Sequence, residues 1–507
     1  MGSIRVKILS LLGLALLTVG TGCVKRPVAT CPDKGGQQWR EVNSPHFRVS
    51  TDLGLRVARF TALELEQLRT ALLLAWGGQV DPPGQVEVIV VRSNAELEEF
   101  TLGTPLEAFL DSSGRSPLMV MAGEGEFLLQ QPEALQVQAH ELAHHITRFV
   151  MVRQPRWLTE GLATWLQTVQ FSSLRRKASF GEIHPGFAQY VRNHRPLPLE
   201  QLWAWEEHPY LSRAEILPYY ASSWLWVVYL RDRHPQRFRD FTDRLARAEE
   251  PRRAWEEAFQ GVTGLEEELR KYEPLGEEQL TVELPRIHPE FEVKTLDCAE
   301  VHTLRARLFL RSPGPRSLGE RLRLSTREIE EALREDPTNV SAVLLQASFT
   351  AEPEQRLALA RALVQARPES GPAWSLLGQS LQEANAPAAE QERALQRALT
   401  LAPEDVDALV AMAWLHTEQG QTAEGLAKAE RAVQLAPGRA STLEAYAALL
   451  FQAGRCAESV TAQQRAIGVL GGHFTEALRE AAEATQAAMQ RKLAEYARHC
   501  GLPAPPP

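Results

Sequence analysis

Apolar and polar positions change rhythm along this chain. In the first part, short β-branched runs alternate with longer amphipathic stretches. Val86-Glu87-Val88-Ile89-Val90-Val91 is the clearest strand, bounded by Pro82-Pro83-Gly84 and Ser93-Asn94, residues that interrupt regular structure. His46-Phe47-Arg48-Val49-Ser50 alternates as a half-buried strand does, and Leu118-Met119-Val120-Met121 predicts another. Leu55 to Trp76 reads as an amphipathic helix. Ala134 to Met151 contains neither Pro nor Gly, and in the stretch after Pro155 the residues Trp157, Leu158, Leu162 and Trp165 recur at helical spacing. The pattern predicts an α+β domain over residues 39–272, a small sheet followed by a helical half.

Residues 273–298 carry Pro274, Pro285 and Pro289 among acidic residues and read as a connector. Beyond it the composition shifts to Ala, Leu, Glu, Gln and Arg, and an internal period emerges. Pro368, Pro403 and Pro437 lie 35 and 34 residues apart, each closing a helical pair. Leu409, Ala413, Gly420, Gly425, Ala432 and Pro437 resemble the tetratricopeptide pattern, and Leu443, Ala447, Gly454 and Ala466 repeat it. Trp374, Leu377 and Gly378 open the preceding unit, Pro337 ends an earlier one, and Val301 to Arg334 reads as a degenerate first unit. Small residues are needed where the paired helices cross. The expectation for 299–500 is an all-α solenoid whose last helix, Phe474 to Arg498, caps the stack, followed by a disordered tail at 501–507.

The beginning of the chain changes the picture of where it works. Arg5 and Lys7 precede an apolar run from Ile8 to Val19, too short for a membrane span, which needs about 20 apolar residues. Residues 1–22 therefore read as an export signal. Cys23, following Gly20-Thr21-Gly22, resembles a bacterial lipoprotein cleavage site, which implies a lipidated Cys23, a tether over 23–38 and anchorage in the cell envelope. A secreted or periplasmic form is the alternative. The formal charge is −9, and removing Arg5 and Lys7 makes it more negative, so no basic footprint for nucleic acid remains. Cys31, Cys298, Cys456 and Cys500 match no zinc ribbon or redox motif and read as independent thiols, with Cys456–Cys500 the pair to test for a disulfide.

The candidate chemistry lies in His140-Glu141-Leu142-Ala143-His144. On a helix, histidines at i and i+4 share one face, so both imidazoles can reach one metal ion, and Glu141 sits beside them as a proton acceptor. A catalytic zinc takes three protein ligands and keeps a position open. Glu160, a carboxylate inside the apolar pattern of Trp157-Leu158-Thr159-Glu160-Gly161-Leu162-Ala163, follows His144 closely enough to lie on the next helix, and Gly161 lets helices approach there. His145 lies about 100° further round the helix and reads as a supporting or surface residue. His46, His184, His194 and His208 have no ligand spacing and read as surface or loop residues.

Together, "HELAH" and "WLTEGLATW" resemble the gluzincin metallopeptidases, most closely their peptidase MA-like domains, over residues 39–270. The resemblance implies a zincin-like fold, one Zn2+ held by His140, His144 and Glu160, and Glu141 as general base. Tyr220-Ala221-Ser222-Ser223-Trp224-Leu225 resembles the family helix that carries a transition-state tyrosine. It implies a catalytic Tyr220, with Tyr219 as the neighbour able to replace it. Ser222 and Ser223 stand where the family has Lys-Gly, and the strand that holds a free peptide N-terminus is absent, Met121 to Glu126 matching it only loosely. Leu118 to Met121 is expected to be the edge strand that pairs with extended substrate backbone.

Two functions follow. One is an envelope-anchored zinc metallopeptidase that hydrolyses peptide or protein substrates, its tetratricopeptide repeats binding a partner or substrate. The alternative is a catalytically inactive zincin-fold lipoprotein acting as a repeat scaffold.

Overall fold

The computed structural model describes residues 31–501 apart from 79, 102–107, 112–115, 124–131, 152–153, 173, 208–212, 248, 275–278, 314–316 and 471–475. The leader at 1–22, Cys23 with the tether as far as residue 30, Glu124 to Glu126, His208 and the tail from 502 lie outside the described residues.

A hairpin of β1 (Arg40–Asn43) and β2 (Phe47–Thr51) opens the fold, followed by α1 (Leu55–Ala75), β3 (Val86–Val91), α2 (Asn94–Phe100), β4 (Ala108–Asp111) and β5 (Leu118–Ala122). Helices α3 (Pro132–Val150) and α4 (Arg156–Leu166) come next, then the hairpin β6 (Gln170–Phe171) and β7 (Lys177–Phe180). The helical half continues with α5 (Pro185–Asn193), α6 (Leu199–Trp203), α7 (Arg213–Arg233), α8 (Pro235–Ala246), α9 (Pro251–Ala258) and α10 (Leu265–Lys271). Strands β8 (Leu280–Glu283) and β9 (Glu292–Thr295) close this part.

The main sheet runs β4-β5-β3-β2-β1-β9, with β2, β3 and β5 parallel and the remaining pairs antiparallel. Every residue of β3 is buried, which is why its run lacks alternation. Val88, Val90, Met119 and Met121 face a core shared with α1 and α3, whereas Ile89, Val91, Leu118 and Val120 face a second core. That second core is filled by the first helix of the repeat region, α11 (Cys298–Arg311), through Leu304, Leu308 and Phe309.

Three expectations are revised by this arrangement. β5 is not the edge: β4 pairs outside it, Phe109 opposite Val120 and Leu110 opposite Met119. Ala108–Asp111 is too short to display a period, so the pattern did not reveal it. The stretch 273–298 is more than a connector, since β8 extends the β6/β7 hairpin and β9 extends β1. The cysteines are not independent thiols: Cys31 pairs with Cys298 and Cys456 with Cys500. The first pair is separated by 267 residues, and only the return of β9 to β1 brings its members together.

Charge reinforces the junction between sheet and repeats. Glu87 on β3 binds Arg48 on β2 and, at 2.5 Å, Arg307 on α11. Burial pushes the Glu87 carboxyl up, but Arg307, Arg48 and Arg311 outweigh it and hold the group below the usual carboxylate value. Removing Arg307 strands the buried Glu87 charge, at a cost below the about 3–5 kcal/mol of a fully buried pair, because both arginines stay partly exposed.

The repeat region is a stack of antiparallel helices: α12 (Leu318–Glu335), α13 (Val340–Phe349), α14 (Pro353–Ala366), α15 (Gly371–Glu383), α16 (Ala388–Leu401), α17 (Val406–Glu418), α18 (Thr422–Leu435), α19 (Ala440–Gln452), α20 (Cys456–Leu470) and α21 (Glu476–His499). Each helix packs on the next, and α13, α15, α17 and α19 also touch in turn, the signature of a tetratricopeptide-like solenoid. The period has local causes. Asn339, Ser370 and Asp405 accept backbone N–H bonds from residues three further on and start α13, α15 and α17. A Cβ at Gly378 would lie 2.4 Å from Leu395, so a small residue is required at that crossing. Helix α21 covers the end with Met489, Leu493 and Tyr496 and is fastened by Cys456–Cys500. Among the described residues, no helix is long and apolar enough to cross a membrane.

The helical half is fixed by a second close crossing. A Cβ at Gly161 would meet the Ser223 carbonyl oxygen at 2.5 Å and Val227 at 2.7 Å, so α4 lies directly on the backbone of α7. The close approach that this glycine permits is thus to α7. Gly161→Ala should separate α4 from α7 at a cost of about 1–3 kcal/mol, read as a Tm several degrees lower in a thermal melt.

Candidate metal centre

Helix α3 presents His140 and His144 one turn apart, their ring centroids 4.7 Å apart and nearly perpendicular. Helix α4 crosses beside them and directs Glu160 into the same place. Glu160 Oε2 lies 3.3 Å from His140 Nε2 and 3.5 Å from His144 Nε2. One donor atom from each of the three residues falls within 4.8 Å of the others. The two imidazoles keep 15% and 17% of their side-chain exposure, so the cluster is recessed but reachable from solvent.

Three electron-rich atoms converging in a recess require a positive partner. His140 Nδ1 lies 2.7 Å from Gln167 Oε1. The amide oxygen accepts the Nδ1 proton, and in neutral imidazole that leaves the Nε2 lone pair facing the Glu160 carboxylate. The opposition is relieved by a proton or by a metal cation. Without a metal, the protons respond as this predicts. Burial drives the His140 pKa down, but its hydrogen bond to Glu160 and the charges of Glu160 and Glu141 leave it above the ordinary histidine value. Burial drives Glu160 up, yet the His144 charge and hydrogen bonds to both imidazoles hold it well below the ordinary value. Two nitrogens and one carboxylate oxygen suit zinc, and these residues fit it.

Glu141 and Tyr220 flank this cluster. The Glu141 carboxyl is raised, first by burial and further by the Glu160 charge, against the lowering effect of both histidines and of a hydrogen bond from the Leu110 backbone N–H. Strand β4 therefore reaches the site. Tyr220 on α7 hydrogen-bonds Glu160, and its ring centroid lies 6.3 Å from that of His140. Its phenol is raised well above the usual value by burial and then by the Glu160 charge, with Arg156 opposing, so the O–H remains a donor at any ordinary pH. Tyr219 packs on Trp205 and accepts from Gln201.

Other histidines are placed elsewhere. His145 is buried, not at the surface; its ring packs on Phe149, and burial lowers its pKa to about 3. His46 is bound to Glu66, and His184 accepts from the Phe187 N–H at the start of α5. His194 stacks on Tyr190. Gln167 and Leu110 had escaped the sequence reading. Gln167 lies seven residues after Glu160, two helical turns along the same face, and that spacing was a usable signal. The Leu110 contribution is a backbone group and leaves no trace in side-chain chemistry.

No family model matches the chain, and no curated protein matches it in sequence. Among solved structures, a crystal structure of MamA protein is 20% identical with a TM-score of 0.24, over 29% of this chain and 80% of that one. A human IFIT1 dimer with m7Gppp-AAAA is 13% identical with a TM-score of 0.31, over 72% of this chain and 70% of that one. Superpositions this loose carry no weight for the fold or the site, whose chemistry follows from its own donors. Gln167→Leu removes the acceptor that orients His140 and should weaken zinc binding about 10–100-fold, measured by competition with a chromophoric chelator.

Proposed function

We propose that this protein is a zinc-dependent hydrolase of peptide bonds, with a zincin-like site beside a partner-binding helical stack. The observation that carries the proposal is the meeting of His140, His144 and Glu160 within 4.8 Å, with Glu141 on the same helix turn. Zinc held by these three residues would supply Lewis acidity and make hydroxide accessible near neutral pH. Glu141, with a carboxyl raised by burial, is suited to take a proton from the attacking water and return it to the leaving amine. General base catalysis of this kind contributes about 10²–10⁴-fold. The Tyr220 hydroxyl is a donor for the oxyanion that develops on the scissile carbonyl, a contact worth about 2.7–4 kcal/mol of barrier. Strand β4, at the sheet edge and in contact with Glu141, offers backbone groups to an extended peptide.

The repeats from α11 to α21 fit a surface for a protein partner or substrate, and the same stack favours the second reading, a scaffold whose zincin-like part is no longer catalytic. The presence of Glu141 supports the enzyme, since a scaffold has no use for a base beside such a set of ligands. Anchorage in the cell envelope through a lipidated Cys23 belongs to the proposal on the sequence of the leader alone, with a secreted or periplasmic protein as its alternative.

Hydrolysis of an unfolded protein by the intact chain, measured beside Glu141→Gln with zinc content checked in both, separates the two readings. The enzyme reading expects the variant to keep its zinc and lose activity by about 10²-fold or more. Equal rates, or no hydrolysis by either protein, would leave the scaffold.

A further inference from the structure

The turn between β6 and β7 carries the most exposed large apolar side chain among the described residues, Leu174, at 82% exposure. Arg175 and Arg176 follow it directly, and the segment after β8 brings Arg286, Ile287 and His288 alongside. Together with Gln67 and Thr70 of α1 these residues line a cavity of about 300 Å³ with no carboxylate in its wall.

The described residues around Arg175 are held by specific bonds. Arg175 adopts φ +48°, a left-handed conformation costly for a side chain of this size. It is held there by its backbone N–H bond to the Ser172 carbonyl at 2.7 Å and by guanidinium bonds to Gln67 and Glu64, both 2.6 Å. Its guanidinium also lies 5.0 Å from the Phe171 ring centroid. The Ser172 hydroxyl accepts from the N–H groups of Arg176 and Lys177. Leu174 is thereby fixed outward, against the ordinary tendency to bury leucine.

The local charge is unbalanced. Glu64 answers Arg175 and Glu283 answers Lys177, but Arg176 and Arg286 have no carboxylate partner among the described residues. A second cavity, of about 680 Å³ between the β1/β9 edge and the first repeats, is different, because Lys294, Arg367 and Arg307 there are matched by Glu300, Asp336 and Glu87. In a chain of net charge −9, two unmatched arginines flanking an outward leucine form a distinct feature.

We propose that this hairpin docks on the surface of a bilayer containing anionic phospholipid, with Leu174 entering the interface and Arg176 and Arg286 meeting the headgroup phosphates. An apolar tip with cations behind it matches the order of layers in such a surface, acyl chains below and phosphates above. The contact is independent of Cys23 and of catalysis.

An environment-sensitive dye on Leu174→Cys, in a full chain carrying Cys23→Ser so that the label has one target, reports on the hairpin itself even if the leader also binds lipid. The spectrum should shift blue on phosphatidylcholine vesicles containing phosphatidylglycerol and stay unchanged on pure phosphatidylcholine. Arg176→Gln with Arg286→Gln should raise the midpoint lipid concentration by about 25-fold, taking about fivefold per charge. Arg286→Lys alone, which keeps the charge, should leave the midpoint in place. No shift on anionic vesicles, an equal shift on neutral ones, or a midpoint indifferent to the double substitution overturns the proposal. A shift produced by inorganic phosphate without vesicles also overturns it, because the cavity would then be a site for a free anion.

Discussion

The crossing of α4 over α3 brings the Glu160 carboxylate against the ring nitrogens of His140 and His144, and much else in the helical half is arranged to hold it there. Gly161 lets α4 sit on the α7 backbone, and Gln167, two turns beyond Glu160, grips His140 from behind. Tyr220 arrives on the same α7 that Gly161 contacts. A carboxylate and a cation about 4 Å apart attract by about 4 kcal/mol where the effective dielectric constant is about 20. Take the cation away and lone pairs face each other in a recess. The protein can place three donors so close only if something positive joins them, a proton on the imidazole or a metal ion.

The sheet conveys this constraint to the rest of the molecule. One face packs on α1 and α3, and the other is covered by α11, which belongs to the repeat stack. The Glu87 cluster, the Cys31–Cys298 bond and the pairing of β9 with β1 all cross the same boundary. The first helix of the solenoid is consequently a structural part of the sheet, and the stack begins from a fixed base.

Much of this could be read from the sequence where a local pattern has a local cause. Val86 to Val91 forms β3, Leu55 to Trp76 forms α1 almost to the residue, and the proline period marks the repeat turns because caps and small residues recur with it. The placement of His140, His144 and Glu160 on neighbouring helices was legible from spacing. What escaped depends on long-range pairing or on backbone groups. Strand β4 is four residues long and owes its existence to β5; β8 and β9 lie in proline-rich stretches and owe theirs to β7 and β1. The Cys31–Cys298 bond depends on that same return. Leu110 acts through its N–H, which no side-chain pattern encodes.

The most direct measurement is the zinc content of the purified chain beside that of Glu160→Gln. The account predicts about one zinc per chain, as expected of a site with three protein ligands, and its loss or marked weakening in the variant. An intact protein that holds no zinc even after the metal is added back would contradict it, and the convergence of His140, His144 and Glu160 would then be held together by protons alone.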